Sequence, residues 1–212
     1  LIFDSGPIIS LTSNNLLSVL EHLRKRLSCT FSIAEAVKAE LVDEALRTKK
    51  FRFEALQVQR LIGNKTFEVI EDRETKALTL ELLHLANNLV RARGEPIKVV
   101  QYAEMASLAA AKKLNADAVV IDERITRELI EHPEHLFNLM RKRLHVNVEV
   151  NRDDAVLFQK QCAGIKVIRS AEIAAVAFEL GLLNEYVHEP HAPENKANRA
   201  NNEMRKQRRS LL

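Results

Sequence analysis

Four carboxylates occupy positions from which they could act on one substrate: Asp4, Glu40, Glu104 and Asp122. Asp4 follows the apolar run Leu1-Ile2-Phe3 and precedes Ser5-Gly6-Pro7, while Asp122 follows Ala118-Val119-Val120-Ile121 and precedes Glu123-Arg124. A short apolar run closed by turn residues reads as a buried strand. In an open α/β sheet the carboxyl ends of such strands are where ligands bind, so both aspartates belong in a cleft. Glu104 falls in the first turns of the Ala-rich stretch 102–114, a strong helix former, near the positive end of the helix dipole. Glu40 sits beside Val37 and Leu41, at the edge of an apolar helical stripe. Crowded carboxylates raise one another's pKa, and a hard divalent cation relieves the repulsion. Mg2+ and Mn2+ take oxygen ligands and keep several waters, so a few carboxylates suffice. The chemistry these ions serve best is in-line displacement at phosphorus, which calls for no histidine, lysine or cysteine.

The elements that must position these acids follow from apolar spacing and breakers. Strands are expected at 1–3, 29–31, 67–70 (an edge strand), 118–121 and 164–168. Between them, helical spacing predicts 16–27 capped by Asn14 or Asn15, 33–47 capped by Ser32, and 49–62 with Phe53, Leu56 and Arg60 on one side. A long helix at 74–93 carries Leu78, Leu82, Leu85 and Leu89 as a packing seam and ends at Gly94 and Pro96. Further helices are expected at 125–144, broken near Pro133, at 153–161, and at 171–180, capped by Ser170 and closed by Gly181. His145 to Val150 alternates and reads as a short peripheral strand. Strands alternating with helices mean a doubly wound, mainly parallel sheet.

With 212 residues, 46% of them apolar, one domain with attachments is expected. The division is a main domain over 1–185, with helical inserts at about 43–98 and 129–162, and a polar segment over 186–212. Cys29 and Cys162 stand far apart and outside any ligand spacing, which argues against a disulfide framework or a structural zinc site. No apolar run approaches the roughly 18–20 residues that cross a bilayer, and a cytoplasmic location is expected. The net charge of +3 is unevenly spread. Between Pro190 and Leu212, Lys196, Arg199, Arg205, Lys206, Arg208 and Arg209 face only Glu194 and Glu203, a local +4 that leaves about −1 for the remainder. Such a segment reads equally as a polyanion-binding arm and as a solvated terminus or an arm against a partner subunit. His188 and His191 flank Pro190 there and read as part of a polar loop. Two rival enzyme classes fall away. A HAD-type phosphatase needs a second Asp two residues after the first, where this chain has Gly6, and glycine-rich nucleotide loops need more than five ungrouped glycines.

At these residues the chain resembles the PIN-domain nucleases. The resemblance rests on Asp4-Ser5, on Ile33, Val37 and Glu40-Leu41, and on Glu104 with Ser107-Leu108-Ala109, Leu114 and Asp117 leading into Val119-Val120-Ile121-Asp122-Glu123-Arg124. It closes with Gly164-Ile165-Lys166-Val167-Ile168 and a helix ending Leu180-Gly181-Leu182-Leu183. The resemblance implies a three-layer α/β/α fold with four to five strands and cleavage of single-stranded RNA. It also implies Mg2+ or Mn2+ held by Asp4, Glu40, Glu104 and Asp122, with the Ser5 hydroxyl orienting the attacking water. Glu123, Arg124 and Asp117 are expected around the acids in supporting roles, Asp117 as a turn residue and Arg124 as an ion-pair partner. Glu104 stands where many members carry Asp, and the inserts make the chain longer than the compact toxin–antitoxin nucleases. A homodimer is compatible with the family, and an antitoxin partner is left open. The alternative is a PIN-like scaffold that binds RNA or protein and no longer cuts.

Overall fold

The computed structural model describes residues 1–48, 50–144 and 148–186. In chain order the first half runs β1 (Ile2–Phe3), α1 (Ser5–Ser13), α2 (Val19–Leu27), β2 (Phe31–Ala34), α3 (Glu35–Lys38), a π-helical turn (Ala39–Glu44), α4 (Ala45–Arg47), α5 (Arg52–Gly63) and β3 (Phe67–Ile70). It continues with α6 (Arg73–Asn88), β4 (Val90–Ala92), β5 (Glu95–Pro96), α7 (Tyr102–Lys113), β6 (Val119–Val120), α8 (Arg124–Glu131) and α9 (Pro133–Leu144). The last elements are β7 (Val148–Val150), α10 (Arg152–Cys162), β8 (Val167–Ile168) and α11 (Ser170–Glu179).

Five strands form a wholly parallel sheet in the order β3-β2-β1-β6-β8, with β1 central and β3 at an edge. Because side chains alternate along a strand, Ile2, Val119 and Ile121 face one core with Leu82, Leu85 and Leu108. Phe3 and Val120 face the other, with Ile8, Leu11, Leu20 and Leu23. Helices α6, α7, α9 and α10 thus cover one face, and α1, α2, α5 and α11 the other, which makes the three-layer α/β/α arrangement. Phe3 anchors the second core, its ring 5.1 Å from Phe31 and 5.3 Å from Phe67 in tilted and edge-on packing.

A second, antiparallel sheet of order β5-β4-β7 joins the two stretches read from the sequence as separate inserts, pairing Val90 with Val150 and Ala92 with Val148. This pairing corrects the expected long helix. It stops at Asn88, and residues 90–92 become a strand turned by Arg93 and Gly94, both at positive φ (56° and 82°) as a two-residue hairpin turn requires.

Other expectations shift for similar reasons. The second strand lies at Phe31–Ala34 rather than 29–31, because Ser28 ends α2 in the left-handed region (φ 50°) and Ser32 N–H donates to Leu1 O at 2.9 Å inside the sheet. Ser32 is therefore a buried strand residue and not a helix cap, and α3 starts at Glu35. Asn14 caps the end of α1 rather than the start of α2. Helix α5 buries Ala55, Val58 and Leu61, leaving Phe53 and Leu56 on the exposed side. Those two share a face with Arg60, but the small-and-branched stripe beside it fits the core. Of the alternating stretch 145–150, Val148–Val150 is strand and residues 145–147 lie outside the described residues, as does the basic segment with Lys196, Arg199, Arg205, Lys206, Arg208, Arg209, His188 and His191. Among the described residues, no helix is long and apolar enough to cross a membrane.

Candidate active site

The strand β1 delivers Asp4 directly into the N-cap of α1. Its Oδ2 accepts from the Gly6 N–H at 3.4 Å, the Ser5 N–H also points at the carboxylate, and the residue is 2% exposed. Among the described residues, Oδ1 is buried without any partner. Ser107 of α7 lies beside it, fully buried, but its hydroxyl proton is committed to Ala103 O at 3.0 Å. Loss of water pushes the Asp4 carboxyl up to about 6, an effect opposed by the two backbone N–H groups and reinforced by the negative charge of Glu40.

On the same side of the sheet, Glu104 is the third residue of α7 and closes its N-terminal turn with Gln101, whose N–H it accepts at 3.4 Å. Thr126 of α8 donates its hydroxyl to the same Glu104 oxygen at 2.5 Å. Glu104 is 8% exposed, and burial raises its pKa to about 7, with Asp4 and Glu123 adding repulsion against the hydrogen bonds that lower it. Two neighbouring buried carboxyls thus both titrate near neutrality, a condition a cation would relieve.

Asp122 reaches the strand ends from β6, the neighbour of β1. A Cβ placed on Gly6 would lie 3.7 Å from both Asp4 Oδ2 and Asp122 Cβ, so the two aspartates flank the first turn of α1. The Asp122 carboxylate is nonetheless occupied. It accepts from Ser10 Oγ at 2.7 Å, from Ser170 Oγ at 2.7 Å and from Ser170 N–H at 2.8 Å. Ser170 is the first residue of α11, capped by Arg169, and so serves Asp122 rather than its own helix end. Glu40 sits exposed in the π-helical turn and reaches Asp4 through its charge. Glu123 caps α8 by accepting the Thr126 N–H at 2.7 Å. Arg124 is exposed and turned to Glu128, 3.5 Å away. Sequence reasoning passed over Ser10 and Thr126 and assigned Ser170 to a cap. Only Thr126, three residues after the capping Glu123, carried a local signal.

Among the described residues, no three His, Cys, Asp or Glu side chains are grouped so as to hold one ion. What the site offers is a pair: the orphaned buried Oδ1 of Asp4 and the carboxylate of Glu104. One or two carboxylates with retained waters is the usual donor set of Mg2+, so the residues present fit a small hard dication and offer nothing to a soft one.

Asp4, buried at the end of the central strand, and Glu104, buried in the first turn of α7, thus lie together at the carboxyl edge of a parallel α/β/α sheet. A family model described as a PIN domain matches residues 1–133, and the chain belongs to the PIN-domain family. The matched span contains Asp4, Glu40, Glu104 and Asp122 and stops before β8 and the Ser170 that holds Asp122. No curated protein and no solved structure gives a significant match.

Proposed function

We propose that the chain is a Mg2+- or Mn2+-dependent endoribonuclease that hydrolyses phosphodiester bonds of single-stranded RNA. The observation that carries this reading is the Asp4 carboxylate, buried at the end of the central strand with one oxygen that finds no partner among the described residues, beside a second buried acid, Glu104. A bound dication supplies Lewis acidity, lowering the pKa of an attacking water and neutralising the leaving oxygen. Asp4 and Glu104 would hold it, with Asp122 and Glu40 completing the negative wall. Thr126 fixes the orientation of Glu104, Ser10 and Ser170 fix that of Asp122, and the Ser5 hydroxyl is available to orient the water. The cations Lys196, Arg199, Arg205, Lys206, Arg208 and Arg209 would hold the RNA backbone. The expected result is Mn2+-dependent cutting of an unstructured RNA by the full chain and its loss in Asp4→Asn.

One observation favours a second reading, a PIN-like RNA- or protein-binding module without cleavage: among the described residues, both oxygens of Asp122 are already engaged by Ser10 and Ser170. That module would retain RNA affinity and never cut with either metal.

A further inference from the structure

Beside the acids, at the same carboxyl edge of the sheet, lies a slot of about 140 Å³. Its inner wall is made of small side chains, Ala34, Ala36, Ala39 and Ala106, and the Tyr102 ring stands at its margin, 39% exposed. The register fixes where this slot lies. Phe3 pairs with Ile33 and Ala34 pairs with Ile70, so Asp4, Ala34 and Ile70 end three adjacent strands at one level. Neighbouring strands are about 4.8 Å apart, which puts the slot roughly 5–10 Å from Asp4. Both its flanks belong to elements that carry the acids. Tyr102 and Ala106 bracket Glu104 on α7, and Ala39 precedes Glu40 in the π-helical turn.

The walls are apolar and the rim is acidic. Glu35 and Glu71 share the ammonium of Lys76 at 2.8 and 3.3 Å, and Asp72 is occupied by Lys113 and Thr75. A phosphate would meet net negative charge there. A flat neutral ring with hydrogen-bond donors on its edge would meet an aromatic face, alanine walls and carboxylate acceptors. Unstacked RNA bases are recognised in this way, by stacking on an aromatic side chain and hydrogen bonding at their edges.

We propose that this slot holds one unstacked base of the RNA substrate, stacked on Tyr102, and that its carboxylate rim prefers a base with an exocyclic amino group. The inference rests on the chain's taking single-stranded RNA and adds the subsite that positions the strand against the acids. Cytosine presents an amino donor where uracil presents a carbonyl acceptor, so two pyrimidines of equal size separate the rim's contribution from shape.

The test uses the full chain carrying Asp4→Asn in Mg2+, titrated into fluorescein-labelled hexacytidylate and hexauridylate and read by anisotropy. Adding Tyr102→Ala should weaken hexacytidylate binding about fivefold or more, the range of one base–aromatic stack. Tyr102→Phe should stay within about twofold. Ala36→Leu, which fills the slot with Tyr102 intact, should reproduce the loss, and the parent should bind hexacytidylate more tightly than hexauridylate. Equal affinity with and without the Tyr102 ring, equal affinity for the two oligomers, or no binding by the parent overturns the proposal. Mn2+ cutting by the wild-type chain, measured in parallel, separates the two readings. Cutting together with Tyr102-independent binding removes the slot and leaves the nuclease. Tyr102-dependent binding without cutting keeps the slot and removes the nuclease.

Discussion

The buried acid at the end of β1 makes the fold less stable as pH rises, and the size of the effect can be worked out. The Asp4 carboxyl lies at about 6 in the folded chain against 3.8 when solvated. Between those values the folded state binds more protons than the unfolded state, so unfolding free energy falls as pH rises. Above pH 6 the cost levels off at about 3 kcal/mol, the shift converted at 1.36 kcal/mol per unit. Glu104, raised to about 7, extends the slope in the same direction to higher pH. Asp72 and Glu35, held low by Lys113 and Lys76, lose their contribution only at more acidic pH and leave the window from pH 5 to 8 clear. The assay is urea unfolding with a chelator present, across that window, for the wild type and for Asp4→Asn. Histidine titration is common to both proteins and cancels in the difference. About 1.4 kcal/mol of that cost develops between pH 5 and 8, the rest lying below pH 5, so with urea slopes of roughly 1–3 kcal/mol per molar the wild-type midpoint should fall by about 0.5–1.4 M relative to Asp4→Asn across the window. Added Mn2+ should remove most of this deficit by binding the folded form. Parallel midpoint curves for the two proteins would refute the claim that Asp4 is a desolvated, uncompensated charge.

Two further outcomes follow from the same geometry. Thr126→Val removes the hydroxyl that lowers the Glu104 pKa, so Glu104 should titrate above about 7, followed by carbon NMR of its carboxyl group. Ser170→Ala leaves the Ser170 N–H on Asp122 but deletes a hydroxyl bonded to a charged group. It should cost about 1–2 kcal/mol of stability by chemical denaturation.

Much of this site could be read along the chain. Apolar runs ending in Asp4 and Asp122 announced strand ends, and the alanine-rich stretch announced the helix that brings Glu104 in at its first turn. Those signals are local: strand burial, a breaker after the acid, helix propensity. The errors were also local signals that tertiary contacts overrode. Residues 90–92 look helical in continuation of Leu78 to Leu89, yet they pair with Val148–Val150, about sixty residues on. Phe53, Leu56 and Arg60 share one side of their helix, yet it is Val58 and Leu61 that turn inward.

Sequence alone determined the doubly wound sheet and the strands that end in acids, because both depend on periods of two or 3.6 residues and on turn residues. Only the tertiary structure decided the state of each acid. Asp4 keeps an oxygen with no partner among the described residues, Glu104 receives the Thr126 hydroxyl, and Asp122 is closed off by serines 112 and 48 residues away. Those approaches are set by how α1, α8 and α11 cross the strand ends. Whether a buried carboxylate finds a donor depends on that crossing and leaves no periodic trace in the chain.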